Sequence, residues 1–200
     1  MTVVLASGSP RRRDLLRAIG VEPVVVVPDS DETPLPGESP ESYVRRVAAA
    51  KLDAVMPRLD TVAVGTVVIA ADTTIDLDGR ILAKPVDGVD ARRMLGLLSG
   101  RTHLVHTGWV VAVAGPGCRG VEWEGHVEVS TARVRFRTLT SAEIEDYVST
   151  GEPLDRAGAY AIQGGAAGFV DALEGSLSAV IGLPTERLAE VCSALGARLV

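Results

Sequence analysis

The sequence has only two cysteines and no long apolar segment. Cys118 and Cys192 are too few and too far apart for a disulfide framework or a CxxC metal site. The apolar runs are short and broken by charges, and the first residues lead directly into a strand pattern instead of a basic, signal-like segment. These absences favour a cytoplasmic protein without a membrane partner, in which both cysteines are structural.

Basic residues are outnumbered by acidic ones, and the net charge is −6. Nucleic-acid binding is driven by basic surfaces that attract phosphates, so this balance argues against a nucleic-acid partner. Any site for a polyanion must therefore be locally basic.

Lysine, asparagine and glutamine are almost absent. Eighteen of the 20 basic residues are arginine, Lys51 and Lys84 are the only lysines, there is no asparagine, and Gln163 is the only glutamine. A lysine that persists against such a bias indicates a position that needs a compact, strongly hydrated ammonium. The alternative is that either lysine is there by chance.

Short apolar strand patterns alternate with capped helix patterns, over a length that suits a single domain at residues 1–200 with two lobes around a central cleft. Strands are predicted at 2–6, 67–71, 80–83, 103–114 and 122–136, with turns at 78–79 and 115–117. Helices are predicted after the caps Ser9, Ser39 and Thr140, at about 87–98 and at about 184–195. The pattern predicts an α/β fold with a mixed, twisted sheet and flanking helices. The glycine-rich stretch 151–168 indicates a functional loop.

Three arginines crowd the start of the first predicted helix, in the segment SGSPRRR at positions 7–13. Ser9 fits the N-cap, and the proline after it fits the first helical position. Cations at a helix N-terminus are unfavourable by themselves, but a bound anion reverses that sign. The segment therefore predicts a phosphate site at Ser9, Arg11 and Arg12. The alternative is that the arginines extend into solvent, and Arg13 is the one most expected to do so.

Asp72 comes directly after the apolar run at 67–71, where open α/β sheets bring ligands to their strand ends. A carboxylate there suits a metal ligand or a general base, and Thr73 adds a hydroxyl beside it. A capping or turn-forming aspartate is the alternative.

Lys51 lies on the inward stripe of the second predicted helix, whose apolar members are Val44, Val47, Ala48 and Val55. Lys84 ends a strand pattern and precedes a proline. An inward-facing ammonium needs a counter-charge, which a phosphate or a carboxylate would supply. Snorkelling to the surface is the alternative for Lys51.

The acidic loop at 29–32 offers carboxylates to a hard divalent cation, although such loops are usually only solvated. His103 and His106 are three apart on a strand pattern and would point to opposite faces, which makes them a poor metal pair. Walker, GxGxxG, HExxH and nucleophile-elbow motifs are missing, so the familiar nucleotide folds are disfavoured.

Several segments together closely resemble the Maf family of nucleoside-triphosphate pyrophosphatases. They are LASGSPRR at 5–12, ADT at 71–73, GRILAKP at 79–85, EPLD at 152–155, AGAYAIQG at 157–164 and IGLP at 181–184. The similarity runs from residue 3 to about 190, in order and with family-like spacing. One departure is Ala161, where a glycine is common, and which could stiffen the loop that holds Gln163.

The resemblance implies a two-lobed fold related to the inosine-triphosphate pyrophosphatases, dependence on Mg²⁺ or Mn²⁺, a cytoplasmic location and, in many members, a homodimer. By position, Asp72 matches the family's proposed proton acceptor and Glu32 an acidic residue near the metal, and we assign both as metal ligands. The family's phosphate-contacting positions match Arg11, Arg12, Lys51 and Lys84. Positions linked to substrate choice match Arg11, Thr73 and Gln163. The branch that acts on dTTP and UTP is the most similar one, because Arg11 stands where the 7-methyl-GTP branch usually has an aromatic residue.

The reaction that the resemblance implies is hydrolysis of dTTP or UTP to the monophosphate and pyrophosphate. A metal-activated water would attack the α-phosphorus, Asp72 would accept the proton, and the cations would stabilise the departing pyrophosphate. A different hypothesis is a nucleotide-binding regulator of cell division that uses the same pocket without turnover. An intact Asp72 beside the cationic set favours the enzyme.

Overall fold

The computed structural model describes residues 1–59, 62–117 and 120–199. Within them, one mixed sheet is formed by β1 (Val3–Ala6), β2 (Val24–Val25), β3 (Val67–Leu77), β4 (Arg80–Leu82), β5 (Thr102–Gly117), β6 (Gly120–Phe136) and β7 (Val170–Glu174). The flanking helices are α1 (Pro10–Ala18), α2 (Pro40–Val55), α3 (Gly88–Leu98), α4 (Ser141–Ser149), α5 (Leu177–Ile181) and α6 (Thr185–Ala194). The predicted α/β fold with a mixed sheet is confirmed.

The strands follow the order β2-β1-β3-β5-β6-β7, and β4 also pairs with β3. β1 lies parallel to both β2 and β3, whereas the pairs of β3 with β4 and β5, of β5 with β6 and of β6 with β7 are antiparallel. β3 is therefore the strand at which the parallel and the antiparallel halves of the sheet meet.

Two strands, β1 and β4, pair with the same edge of β3 at different places along it. β1 pairs with residues 67–70 of β3, and β4 pairs with residues 75–77. Residues 71–74 lie between them and receive backbone pairing only from β5, on the other edge. Asp72, Thr73 and Thr74 thus open into a gap in the sheet.

The hydrophobic core is divided at the same place. Ile75 and Leu77 of β3 belong to a cluster with α3, α4, Tyr160 and Phe169. The first half of β3 packs into two other clusters, one with α1 and α6 and one with the end of α2. The predicted two lobes are these packed ends of a shared sheet, and the gap in β3 lies between them.

Helix α2 lies directly on the sheet beside this gap. Gly108 of β5 pairs with Asp72, and a Cβ atom at Gly108 would lie 2.3 Å from the carbonyl oxygen of Val44. Only a glycine permits such a close approach of helix and strand backbones. The contact brings the inward face of α2, on which Lys51 is buried, against β3.

Several element boundaries differ from the sequence prediction. The strand predicted to end at residue 71 continues to Leu77, so Asp72 lies in mid-strand, and the strand that ends at the site is β1. The turn predicted at 115–117 is wrong, because these residues still pair with 120–122 of β6; the connection at residues 118–119 lies outside the described part. β7 and α5 were not predicted.

Cys192 lies buried and unbonded in α6, where burial raises the pKa of its thiol to about 11 and keeps it protonated. Cys118, the other predicted structural cysteine, falls outside the described residues.

In the part of the chain that the structure describes, no helix combines the length and the apolar character that a bilayer crossing requires.

Candidate active site

A cavity of about 590 Å³ opens at the gap in β3. It is lined by β3, the start of α1, the loop before α2, the segment after β4, and the glycine-rich loop at 151–168. Every residue that the sequence predicts for the site lines it: Ser9, Arg11, Arg12, Glu32, Lys51, Asp72, Thr73, Lys84 and Gln163. Residues up to 154 positions apart in the sequence are therefore neighbours on one surface.

Lys51 and two carboxylates form the centre of the cavity. Its ammonium Nζ lies 2.7 Å from Oδ1 of Asp72 and 2.9 Å from Oε1 of Glu32. Lys51 and Asp72 are both buried, whereas the side chain of Glu32 is half exposed. The inward orientation predicted for Lys51 is confirmed, and its counter-charge is a pair of carboxylates.

Helix α2 holds the loop that carries Glu32. Tyr43 donates its hydroxyl proton to the carbonyl oxygen of Glu32 at 3.0 Å, and Arg46 donates to the carbonyl oxygen of Thr33 at 3.0 Å. Burial, followed by the charges of Asp72 and Glu32, raises the pKa of Tyr43, so its hydroxyl stays a donor. Glu32 is thus fixed through its backbone while its carboxylate reaches Lys51.

The two carboxylates fit a small divalent cation. Mg²⁺ usually binds through one or two carboxylates and completes its coordination with water and substrate phosphates. Glu32 and Asp72 supply such a pair on a cavity that has room for phosphates. Among the described residues there is no group of three or more His, Cys, Asp or Glu side chains that could hold a metal ion.

Arg12 is a buried guanidinium with three defined partners. Nε donates to the carbonyl oxygen of Gly182 at 2.8 Å, Nη1 to Oγ of Ser7 at 3.0 Å, and Nη2 to Oγ1 of Thr73 at 3.3 Å. Burial lowers its pKa, and the nearby charges of Asp72 and Glu32 oppose that shift. A guanidinium has five N–H donors, so two remain for a ligand.

The hydroxyl of Thr73 is part of this arrangement. Thr107 uses its proton to reach the carbonyl oxygen of Ala179 at 2.7 Å, so the hydroxyl of Thr73 must donate to Oγ1 of Thr107 at 2.9 Å and accept from Arg12. Thr73 therefore orients Arg12 as well as lining the cavity. No sequence pattern marked Thr107, whose role depends on the pairing of β5 with β3.

The start of α1 is left open to the cavity. Ser9 occupies the predicted N-cap position, but its side chain makes no capping bond, and its own backbone N–H donates to Oγ of Ser7 at 3.2 Å. The first turn contains no acidic residue. Pro10 has no N–H and that of Arg13 bonds to the carbonyl oxygen of Ser9, so the N–H groups of Arg11 and Arg12 are the ones available to an anion.

Arg11 faces a second cation that sequence reasoning missed. Burial, followed by the charges of Arg156 and Arg12, lowers the pKa of Arg11 to about 10. The Nε atoms of both Arg11 and Arg156 are buried and have no hydrogen-bond partner among the described residues. Arg156 belongs to the glycine-rich loop and directly follows the EPLD segment, which was its only signal in the sequence. Mutually repelling cations of this kind are stabilised by a bound anion.

Lys84 lies at the mouth of the cavity. Its Nζ is 2.5 Å from Oδ1 of Asp155, and both side chains are largely exposed. The backbone makes a second link, because Gly158 donates its N–H to the carbonyl oxygen of Ala83 at 3.1 Å. Asp155 was not predicted as a partner. Through its contact with Lys84, Asp155 links the segment after β4 to the loop that carries Gln163.

Gln163 lies at the exposed end of the cavity, on a turn next to Tyr160 and Ile162, which also line the cavity. Tyr160 is fixed from behind by His103, whose Nε2 lies 2.8 Å from the tyrosine hydroxyl. Burial lowers the pKa of His103 to about 4, so its ring is neutral. The prediction that His103 and His106 do not form a metal pair fits their placement, since His106 bonds to Thr131 on the other face of the sheet.

The cavity is more basic than the chain as a whole. Its walls carry the cations Arg11, Arg12, Lys51, Lys84 and Arg156 against the anions Glu32, Asp72 and Asp155, although the chain has a net charge of −6. The locally basic site that the composition demands is therefore present. A gap in a mixed α/β sheet with cations around a pair of carboxylates is the site of a protein that binds a polyanion. The carboxylates would lie next to the bound anion.

Comparison with known proteins narrows this class. The family model of the Maf-like proteins matches residues 2–195, and the chain belongs to this family. A relative from Sphingopyxis alaskensis, called dTTP/UTP pyrophosphatase, is 47% identical over 97% of this chain and 96% of its own. Relatives with the same name from Anaeromyxobacter dehalogenans and Aromatoleum aromaticum are 49% and 44% identical, over 96% and 97% of this chain and 92% and 95% of their own. The resemblance found in the sequence segments is confirmed.

Proposed function

We propose that the protein hydrolyses dTTP and UTP to the nucleoside monophosphate and pyrophosphate. The observation that carries this proposal is the position of Asp72, a buried carboxylate in the gap of β3 with Lys51 and Arg12 beside it. Membership in the Maf-like family and the name shared by the relatives support the choice of reaction and of substrates. The cavity volume lies within the range of small-molecule sites.

In the proposed step, a water oxygen forms a bond to the α-phosphorus while the bond between that phosphorus and the bridging oxygen of the β-phosphate breaks. The water proton passes to the carboxylate of Asp72, which Lys51 holds at Oδ1. The electron pair of the broken bond leaves with pyrophosphate. No covalent intermediate with the protein is needed.

Different cations of the cavity would bind different phosphates of the substrate. Arg12 is held rigidly by three hydrogen bonds, and its two remaining donors suit phosphate oxygens. Arg11, Arg156 and Lys84 form a second group of cations on the cavity wall and suit the leaving pyrophosphate, with Lys84 exchanging its contact with Asp155 for one with the substrate. Glu32 and Asp72 would hold Mg²⁺ or Mn²⁺, which when bound supplies charge neutralisation and a more acidic water.

The base would be recognised by Gln163. Uracil and thymine present an acceptor at O4 beside a donor at N3, and a carboxamide held in one orientation matches both. Cytosine presents the reverse pattern. We therefore expect dTTP and UTP to be better substrates than CTP, with the methyl group of thymine discriminated only weakly.

Product analysis tests the reaction. The purified protein is incubated with dTTP, UTP, CTP, ATP and GTP in Mg²⁺ or Mn²⁺ and isotopically labelled water. We expect equimolar monophosphate and pyrophosphate, with the label in the monophosphate. Orthophosphate with a diphosphate would mean attack at the γ-phosphorus, and label in pyrophosphate would mean attack at the β-phosphorus; either result contradicts the proposal.

We further propose that the protein is a cytoplasmic homodimer that does not bind nucleic acid. We also propose that residues 1–200 form a single domain. The single domain is supported by β3 and β5, which contribute to both lobes. Light scattering of the purified protein tests the homodimer.

A further inference from the structure

Gln163 lies at the tip of a tight turn. The N–H of Gly164 donates to the carbonyl oxygen of Ala161 at 3.0 Å, which closes a four-residue turn with Ile162 and Gln163 in the middle. Gln163 is exposed. The place from which its side chain starts is therefore determined by how firmly the backbone of this turn is held.

Tyr147 of α4 holds the start of the turn. Its hydroxyl oxygen accepts the N–H of Ala161 at 3.1 Å. The ring is buried and packs edge-on against Phe169, with 5.3 Å between the ring centres. Burial, to which the Glu152 carboxylate adds, raises the pKa of Tyr147 to about 12, so the phenol remains neutral. A rigid acceptor thus fixes the residue where the turn begins.

Glu152 holds the end of the turn. Its Oε2 accepts the N–H of Gly165 at 3.0 Å, and its carboxylate lies so close to Gly164 that a Cβ atom there would be 1.7 Å from Oε1. Gly164 therefore has to be a glycine if the carboxylate is to stay in place. Gly165 is similarly close to Tyr147, because a Cβ atom at Gly165 would lie 3.0 Å from the tyrosine ring.

Tyr147 and Glu152 are not among the residues that line the cavity. We infer that they are positioning residues for base selection: together they hold both ends of the turn and so fix the backbone of Gln163 at the place from which its amide reaches the base. This inference rests on the proposed function, in which Gln163 reads the base. It also explains how Ala161 is tolerated, because its backbone does not adopt a positive φ and its N–H is taken up by Tyr147.

The test compares kcat/KM for dTTP, UTP and CTP in four variants. Tyr147→Phe keeps the packed ring and removes the acceptor, and Glu152→Ala removes the carboxylate. Both are expected to lower the ratio of dTTP to CTP by about fivefold or more, with kcat on CTP near the wild-type value. Glu152→Gln keeps a carbonyl oxygen for Gly165 and should restore most of the ratio. Thr140→Ala, which removes the capping box at the far end of α4, should lower the melting temperature and leave the ratio unchanged.

A double-mutant cycle tests whether Glu152 acts on the ratio through its contact with the turn. Gly164→Ala should disturb the ratio in the wild type, because the new methyl displaces Glu152, and should have little further effect in Glu152→Ala. Unchanged ratios in Tyr147→Phe and Glu152→Ala, with only lower melting temperatures, would overturn the inference and leave the proposed function intact. Failure of the wild type to release pyrophosphate from dTTP or UTP would instead overturn the proposed function itself.

Discussion

The two ends of the cavity bind in different ways. At one end, Arg12, Lys51 and Asp72 are buried side chains on regular helices and strands, and hydrogen bonds to each other or to nearby groups fix each of them. At the other end, Gln163 is an exposed side chain on a turn, and only its backbone neighbours are held, by Tyr147 and Glu152. Charged phosphates need donors that are in place before binding, because reorientation at the moment of reaction is costly.

This difference predicts a division of labour. Changes at the buried end should affect turnover of every nucleotide alike, because all triphosphates present the same phosphates. Changes at the exposed end should alter the ratio between nucleotides, because only the base differs.

Asp72→Asn should have the largest effect. The substitution keeps the shape and an oxygen for Lys51 but removes the proton acceptor, so kcat should fall roughly a hundredfold or more on dTTP, UTP and CTP alike. Nucleotide binding, measured by calorimetry, should change little, whereas the melting temperature should fall because the buried ammonium of Lys51 loses one of its two counter-charges. Near-normal turnover would remove Asp72 from the mechanism.

Lys84→Arg should have the next largest effect, on the order of a tenfold loss in kcat/KM, because a planar guanidinium does not reproduce the compact ammonium at the cavity mouth. Arg80→Lys, a matched exchange on the neighbouring strand β4 and away from the cavity lining, should be nearly silent. If both variants are equally harmless, the scarcity of lysine in this chain is only a compositional bias.

His103→Gln should leave turnover near neutral pH almost unchanged and alter the acid stability. The pKa of His103 is lowered by burial from 6.5 to about 4, so the unfolded chain takes up a proton below pH 6.5 that the folded protein excludes. The free energy of unfolding of the wild type should therefore fall by up to about 3 kcal/mol between pH 6.5 and pH 4 from this group alone.

Chemical denaturation at several pH values measures that loss. The His103→Gln variant should show a shallower decline over the same interval. Equal slopes in wild type and His103→Gln would show that this histidine is not excluded from protonation in the fold.

Much of the fold could be predicted from local patterns. The capping box of Thr140 and Glu143 is present as predicted, and the inward stripe of α2 is buried with Lys51 among it. These features depend on residues three to seven positions apart, so the sequence records them directly. The strand boundary at residue 71 was wrong because Asp72, Thr73 and Thr74 break the apolar run although the backbone pairing with β5 continues.

The parts of the site that were missed depend on distant contacts. Lys84 meets Asp155 and Thr73 meets Thr107, pairs 71 and 34 positions apart. Tyr147 and Glu152 contact the backbone of the turn. Glu152 belongs to the EPLD segment, but no sequence pattern links it or Tyr147 to Gln163. β7 is short and largely exposed, so it lacks the alternation by which strands are predicted.

The division of labour is tested most directly by one matrix of kcat/KM values, for dTTP, UTP and CTP with the wild type, Asp72→Asn at the buried end and Gln163→Ala at the exposed end. We expect Asp72→Asn to lower all three values by a similar factor, so that the ratios between nucleotides stay those of the wild type. Gln163→Ala should lose activity mainly on dTTP and UTP, which narrows their advantage over CTP. Unchanged ratios in Gln163→Ala, or a wild type that prefers CTP or a purine triphosphate, would contradict the account.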